Sequence, residues 1–107
     1  MKEIKAIIRP IKLDAVLRAL HEHPDFPGIT VSEVRGFGKV ASKVANGGPA
    51  YGTVEMTKLE CIIDDEHADE VAELIQSTAT TGRPGDGQIV IRKLESVIRI
   101  RTGDRSG

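Results

Sequence analysis

Aromatic residues are scarce in this chain: no tryptophan, one tyrosine and two phenylalanines among 107 residues. A sheet that stacks RNA bases needs exposed aromatics on its central strands, and Phe26, Phe37 and Tyr51 are too few and too scattered for that. Cysteine occurs once, so no internal disulfide and no multi-cysteine metal site can form. Cys61 lies inside the apolar run Leu59-Glu60-Cys61-Ile62-Ile63, the setting of a buried small hydrophobe. Neither charge sign dominates, with 15 basic against 16 acidic residues and a net charge of −1. That balance argues against a binder driven onto nucleic acid by electrostatics. No apolar run is long enough to cross a bilayer and no signal-peptide pattern opens the chain. The expectation is a cytoplasmic protein without nucleic-acid partners or direct membrane insertion.

Glycine, by contrast, is concentrated where chemistry could use it. Thr81-Gly82-Arg83-Pro84-Gly85-Asp86-Gly87-Gln88 holds three glycines and a proline in eight residues. Such a backbone turns tightly and can approach an anion with its N–H groups. Arg99 and Arg101 follow, two apart, so a strand would place them on one face. A guanidinium binds oxyanions through a planar fork, which makes phosphate the natural ligand. A plain turn followed by solvated arginines fits the same residues.

The apolar pattern alternates between strand and helix. Ile4-Lys5-Ala6-Ile7-Ile8 reads as a first strand ended by Pro10. Leu13, Val16, Leu17 and Leu20 recur at helical spacing, and the helix stops before His23-Pro24-Asp25-Phe26-Pro27-Gly28. Ile29 to Arg35 alternates as a second strand, interrupted at Gly36-Phe37-Gly38. Residues 39–53 are rich in Gly, Ala and Ser without a sustained period, which predicts a long exposed loop. Val54 to Ile63 is a third strand. Ala68, Val71, Leu74, Ile75 and Thr78 mark a helix over Glu66 to Ala79, with Asp64 and Asp65 ahead of it. Ile89-Val90-Ile91 and Glu95 to Ile100 finish the chain as strand, broken near Arg92-Lys93-Leu94. The order βαββαβ predicts one α+β domain over residues 1–107: a ferredoxin-like antiparallel sheet with two helices on one face. That fold alone decides no function. His21 and His23 flank Glu22 beside Asp25, a set that can hold a metal if the turn bends but is more often solvated. His67 has no partner in sequence and is expected to be exposed.

Three stretches carry a family resemblance: Met1-Lys2-Glu3-Ile4-Lys5-Ala6-Ile7-Ile8-Arg9-Pro10-Ile11-Lys12-Leu13; Gly28-Ile29-Thr30-Val31-Ser32-Glu33-Val34-Arg35-Gly36-Phe37-Gly38; and Thr81-Gly82, Gly85-Asp86-Gly87 and Val97-Ile98-Arg99-Ile100-Arg101-Thr102-Gly103. In this order and spacing the chain resembles the PII signal-transduction proteins over nearly its whole length. The resemblance implies a regulator rather than an enzyme, a homotrimer, and an adenine nucleotide bound in the cleft between neighbouring subunits. It implies that Ile7, Thr30 and Ile62 form the adenine pocket. Gly36, Phe37, Gly38 and Lys39 would pass beside ribose and phosphates, with Gly85, Asp86, Gly87 and Gln88 as the phosphate loop and Arg99 and Arg101 reaching the phosphates. Residues 39–53 would be a flexible effector loop that docks on a membrane transporter or an enzyme.

The chain also departs from that pattern. Val40 stands where the family has a glutamine that supports magnesium and 2-oxoglutarate, and valine offers no donor or acceptor. Gln88 replaces a lysine at the phosphate end, Met56 aligns with a lysine that grips 2-oxoglutarate, and the effector loop is about three residues shorter. Tyr51 lies near a position that some members uridylylate, with different flanking residues. These changes predict ADP or AMP favoured over Mg-ATP, no 2-oxoglutarate sensing and no obligatory metal. Bicarbonate sensing linked to carboxysomes or inorganic carbon, conventional nitrogen regulation, and a metal-efflux-associated or metal-responsive trimer are the alternatives within the resemblance.

Overall fold

A computed structural model of the chain describes residues 1–26, 28–43 and 49–106. Strand β1 (Lys2–Ile8) alternates strictly: Ile4, Ala6 and Ile8 are buried, while Lys5 and Ile7 are not. A 3-10 turn at Pro10–Lys12 leads into α1 (Leu13–His21), which buries Val16 and Leu20. Strands β2 (Thr30–Lys43) and β3 (Pro49–Ile63) follow, then α2 (Asp65–Ala79), β4 (Gly87–Lys93), β5 (Val97–Ile98) and β6 (Arg105–Ser106). The main sheet has the order β2-β3-β1-β4 with every neighbouring pair antiparallel. This is the expected α+β ferredoxin-like arrangement.

The period of two in β1 and β3 splits the sheet into unlike faces. Ile4, Ala6, Ile8, Leu59, Cys61 and Ile63 join Val16, Leu20, Ala68, Val71, Ala72, Ile75 and Ala79 in one core beneath the helices. Alanine at 68, 72 and 79 lets α2 lie close on the sheet. The opposite face carries Glu3, Lys5 and Ile7 from β1, Lys58, Glu60 and Ile62 from β3, and Gln88, Val90 and Arg92 from β4, and both helices of the described residues pack their buried side chains on the other side. Its polar residues pair across and along the strands: Arg92 with Glu3, and Lys58 with Glu60 at 3.6 Å.

Three expectations need correction. Residues 39–53 are not an irregular loop over their described length. The β2–β3 ladder runs through Gly36↔Val54, Phe37↔Thr53, Gly38↔Gly52, Lys39↔Tyr51 and Val40↔Ala50 to Lys43↔Pro49, with a register shift between Val40 and Lys43. Backbone hydrogen bonding between two neighbouring segments needs no hydrophobic period, so composition hid it. Residues 44–48, including Asn46-Gly47-Gly48, lie outside the described residues. The strand expected through Ile100 stops at Ile98. The chain turns there, with Gly103 N–H donating to Arg99 O at 2.7 Å and Arg99 N–H to Asp104 O at 2.9 Å, and returns as β6. Arg99 and Arg101 therefore sit in a turn and not along a strand face. Third, His67 is only a quarter exposed. It lies 3.6 Å from Asp25, 3.5 Å from Glu66 and 3.9 Å from Glu70, and its ring meets that of His23 edge-on at 6.1 Å.

Gly87 fixes how β4 joins β1. Its φ is +101°, and a Cβ there would lie 1.7 Å from the carbonyl oxygen of Ile7. Gly87→Ala should therefore destabilise the fold by more than about 2 kcal/mol, through strain and backbone displacement. Gly36→Ala, which meets nothing within 4 Å, should stay within about 0.5 kcal/mol of the parent. Urea titrations of both variants measure the difference.

Candidate functional site

Seven of the candidate ligand-site residues fall into two separate clefts. The first, of about 550 Å³, is lined by Ile7, Val34, Arg35, Gly36, Gly85, Gly87 and Gln88. Pairing explains this meeting: Ile7 lies opposite Gln88 across the β1–β4 ladder, and the base of the β2–β3 ribbon closes the other side. The second, of about 440 Å³, is lined by Glu3, Gly28, Ile29, Thr30, Glu60, Cys61 and Ile62. Ile62 pairs with Glu3, four residues along β1 from Ile7, a separation of roughly 13 Å at the rise of a strand. Ile7 and Ile62 thus sit on the same open face without sharing a cleft. Phe37 is 78% exposed and lines neither. Gly38 and Lys39 continue β2 beyond the first cleft, and Arg99 and Arg101 lie in the exposed β5–β6 turn.

The glycine-rich loop has a definite internal architecture. Asp86 accepts from Thr81 N–H at 2.7 Å, from Gly82 N–H at 3.0 Å, from the Thr80 hydroxyl at 3.4 Å and from the Thr81 hydroxyl. Arg83 N–H donates to Thr81 Oγ1 at 3.2 Å. The N–H groups of Thr81, Gly82 and Arg83 therefore point into the loop's own side chains and are not offered outward. Gly85, at φ +94°, and Gly87 bring bare backbone to the cleft wall instead. The side chain of Asp86 shapes the loop.

Arg9, which no sequence pattern singled out, completes this network. Its Nε donates to Asp86 Oδ1 at 2.7 Å and its Nη2 to Pro84 O at 2.9 Å. The partners lie 77 and 75 residues apart in sequence, so only the fold reveals the contact. Arg35 was also missed. It lines the first cleft and pairs loosely with Glu55, at 3.7 Å. The Arg9 guanidinium, then the Thr81 hydroxyl and amide and the Gly82 amide, hold the Asp86 carboxyl far below the usual carboxylate range. Burial raises the Cys61 thiol, which leaves it a protonated core residue. Among the described residues, no group of three or more His, Cys, Asp or Glu is placed to hold a metal ion, and none of their helices is long and apolar enough to cross a membrane.

Comparison with known proteins gives this geometry its context. The family model described as "Nitrogen regulatory protein P-II" matches residues 1–104. The chain belongs to the P-II family. Nitrogen regulatory protein P-II of Rhodospirillum rubrum is 44% identical, with 100% of this chain and 97% of that protein covered. The P-II protein of Nostoc punctiforme is 45% identical, covering 99% of this chain and 96% of its own length. That of Pasteurella multocida is 42% identical, with the same coverage. As a P-II protein the chain is a signal-transducing regulator that acts on target proteins, and not an enzyme.

The carboxyl of Asp86 ionises more readily in the folded P-II chain than in the unfolded one. Its bonds therefore stabilise the fold fully above the unfolded value, about pH 3.9, and lose that contribution as pH falls further. The melting-temperature gap between parent and Asp86→Asn should be constant from pH 7 to 5 and narrow progressively as pH falls below about 4, with part of it persisting at pH 2. Thermal melts across that range measure it.

Proposed function

We propose that this P-II protein is a cytoplasmic homotrimeric regulator that binds an adenine nucleotide between neighbouring subunits. ADP or AMP is favoured over Mg-ATP, 2-oxoglutarate is not sensed, and a membrane transporter or enzyme is controlled through the effector segment, residues 39–53. One observation carries this reading. The residues implied in nucleotide binding line two different clefts of a single protomer, Ile7, Gly36, Gly85, Gly87 and Gln88 in one and Thr30 and Ile62 in the other. Each cleft alone is a partial site, and the open sheet face on which both lie suits packing against further copies of the chain. In such an assembly the first cleft of one protomer meets the second cleft of its neighbour, and the exposed Arg99 and Arg101 turn supplies cations across the joint.

Charge supports the preference for fewer phosphates. Gln88 lines the phosphate end of the first cleft in place of a lysine, and Val40 removes a metal-supporting side chain. A charge-assisted hydrogen bond contributes roughly 1.5–3 kcal/mol, so one missing ammonium weakens binding about tenfold or more. Triphosphate with magnesium loses the most. Arg35, held only loosely by Glu55, leaves one cation in the cleft, which matches a short phosphate tail. The names of the relatives point to nitrogen regulation as the pathway.

Calorimetry with ATP, ADP and AMP, with and without magnesium and 2-oxoglutarate, should show ADP or AMP bound most tightly and no enhancement by 2-oxoglutarate. Arg101→Ala should abolish the nucleotide-induced rise in melting temperature while leaving the unliganded melt unchanged. Cooperative binding of ATP and 2-oxoglutarate would overturn the preference, and a monomer indifferent to all adenosine nucleotides would overturn the function.

A further inference from the structure

We propose that Arg9 is the positioning residue of the nucleotide loop: it clamps the Pro84-Gly85-Asp86 turn and so presents the Gly85 and Gly87 backbone to the phosphates without touching them. This deepens the nucleotide-binding reading and rests on it. Arg9 is itself held firmly. Pro10 disfavours a helical conformation at the residue before it, and Arg9 is extended at φ −65° and ψ 136°. Its carbonyl accepts from Lys12 N–H at 3.0 Å in the 3-10 turn. The side chain thus starts from a rigid point at the end of the central strand β1.

From there one guanidinium reaches both sides of the turn, through Nε to the Asp86 carboxylate and Nη2 to the Pro84 carbonyl. Gly85 lies between these acceptors, and a Cβ on it would come within 3.5 Å of Arg9 Nη2. A planar fork on a long stem satisfies both acceptors at once, whereas an ammonium is a single point of charge. Asp86 then relays the constraint to the start of the loop: its Oδ1, which holds Arg9, also accepts from the Thr81 hydroxyl, and its Oδ2 accepts from the Thr80 hydroxyl and the Thr81 and Gly82 amides. The result is a chain of contacts from β1 through Arg9 and Asp86 to the start of the loop. Arg9 does not line the first cleft, although Gly85, Gly87 and Gln88 do. Its charge is already paired with Asp86, so it acts through the loop and is not a free cation for the ligand.

The test uses the full chain and ADP as probe. Calorimetry on the parent, Arg9→Ala, Arg9→Lys, Asp86→Asn and the Arg9→Ala/Asp86→Asn double variant is combined with hydrogen exchange at Thr81 and Gly82. Arg9→Ala should weaken ADP about tenfold or more and Asp86→Asn by a similar factor. The double variant should be no weaker than the worse single, because the two side chains form one unit. Arg9→Lys should recover part of the loss. Amides of Thr81 and Gly82 should exchange faster in Arg9→Ala while that of Val71 in α2 keeps its protection. Multiplying losses in the double variant, or tighter ADP binding by Asp86→Asn, would mean that Arg9 contacts phosphate directly and would overturn the proposal. Parent-like ADP affinity in Arg9→Ala would overturn it while leaving nucleotide binding intact. If Arg9→Ala does not fold, an Arg9→Lys variant with parent-like affinity and exchange overturns it equally. A parent that binds no adenosine nucleotide defeats the functional reading and this one together, and exchange at Thr81 and Gly82 then reports on the clamp alone.

Discussion

The contact between the backbone of Ile7 and the bare α-carbon of Gly87 sets the geometry on which the rest of this P-II fold depends. Only a residue without a side chain fits there, because the carbonyl oxygen of Ile7 occupies the place of a Cβ. That approach brings β4 alongside β1 in the register Ile7↔Gln88 and Ile8↔Gly87. The register in turn decides which residues of β4 share the open face with Glu3, Lys5 and Ile7. It also delivers the glycine-rich loop to the end of β1, where Arg9 can reach it. Core packing and the candidate ligand site therefore have one origin: Ile8 points into the core, and its neighbour Ile7 lines the first cleft.

What the sequence revealed follows the physics of each element. Helix α1 was legible because Leu13, Val16, Leu17 and Leu20 repeat at the helical period, and α2 because Ala68, Val71 and Ile75 do. The alternation in β1 was equally plain. The β2–β3 ribbon was not, because Gly36, Gly38 and Gly52 leave it no apolar period. Its order comes from backbone pairing that composition does not encode. The end of the chain misled for the opposite reason. Val97, Ile98 and Ile100 carry strand-forming side chains, yet Gly103, with φ +76°, turns the chain after Ile98.

The candidate site divides in the same way. Ile7, Gly36, Gly85, Gly87 and Gln88 were identified by resemblance, and the fold brings them together; Thr30 and Ile62 meet in a different cleft. Arg9 could not be found from sequence, since its partners lie in the distant loop and nothing local marks it. The resemblance implies that Asp86 belongs to a loop that contacts phosphate and ribose, while its place between two glycines fits a contact with ligand or with backbone. The structure engages both its oxygens within the loop, so its chemistry is that of an organiser. His67 has no partner visible in sequence because one of its carboxylates, Asp25, reaches it from the turn after α1.

The paired strands beyond Gly36 and Val54 have a mechanical consequence. From that root the ladder extends seven residues along β2 but five along β3 to Lys43↔Pro49, so the shorter strand limits its reach to roughly 17 Å at the rise of a strand. Two hydrogen-bonded strands bend far less readily than a single chain of the same length, so the arm behaves as a lever whose fulcrum borders the first cleft. A tilt of about ten degrees at the root then sweeps the far end through about 3 Å, by simple trigonometry on that length, more than half the spacing between neighbouring strands.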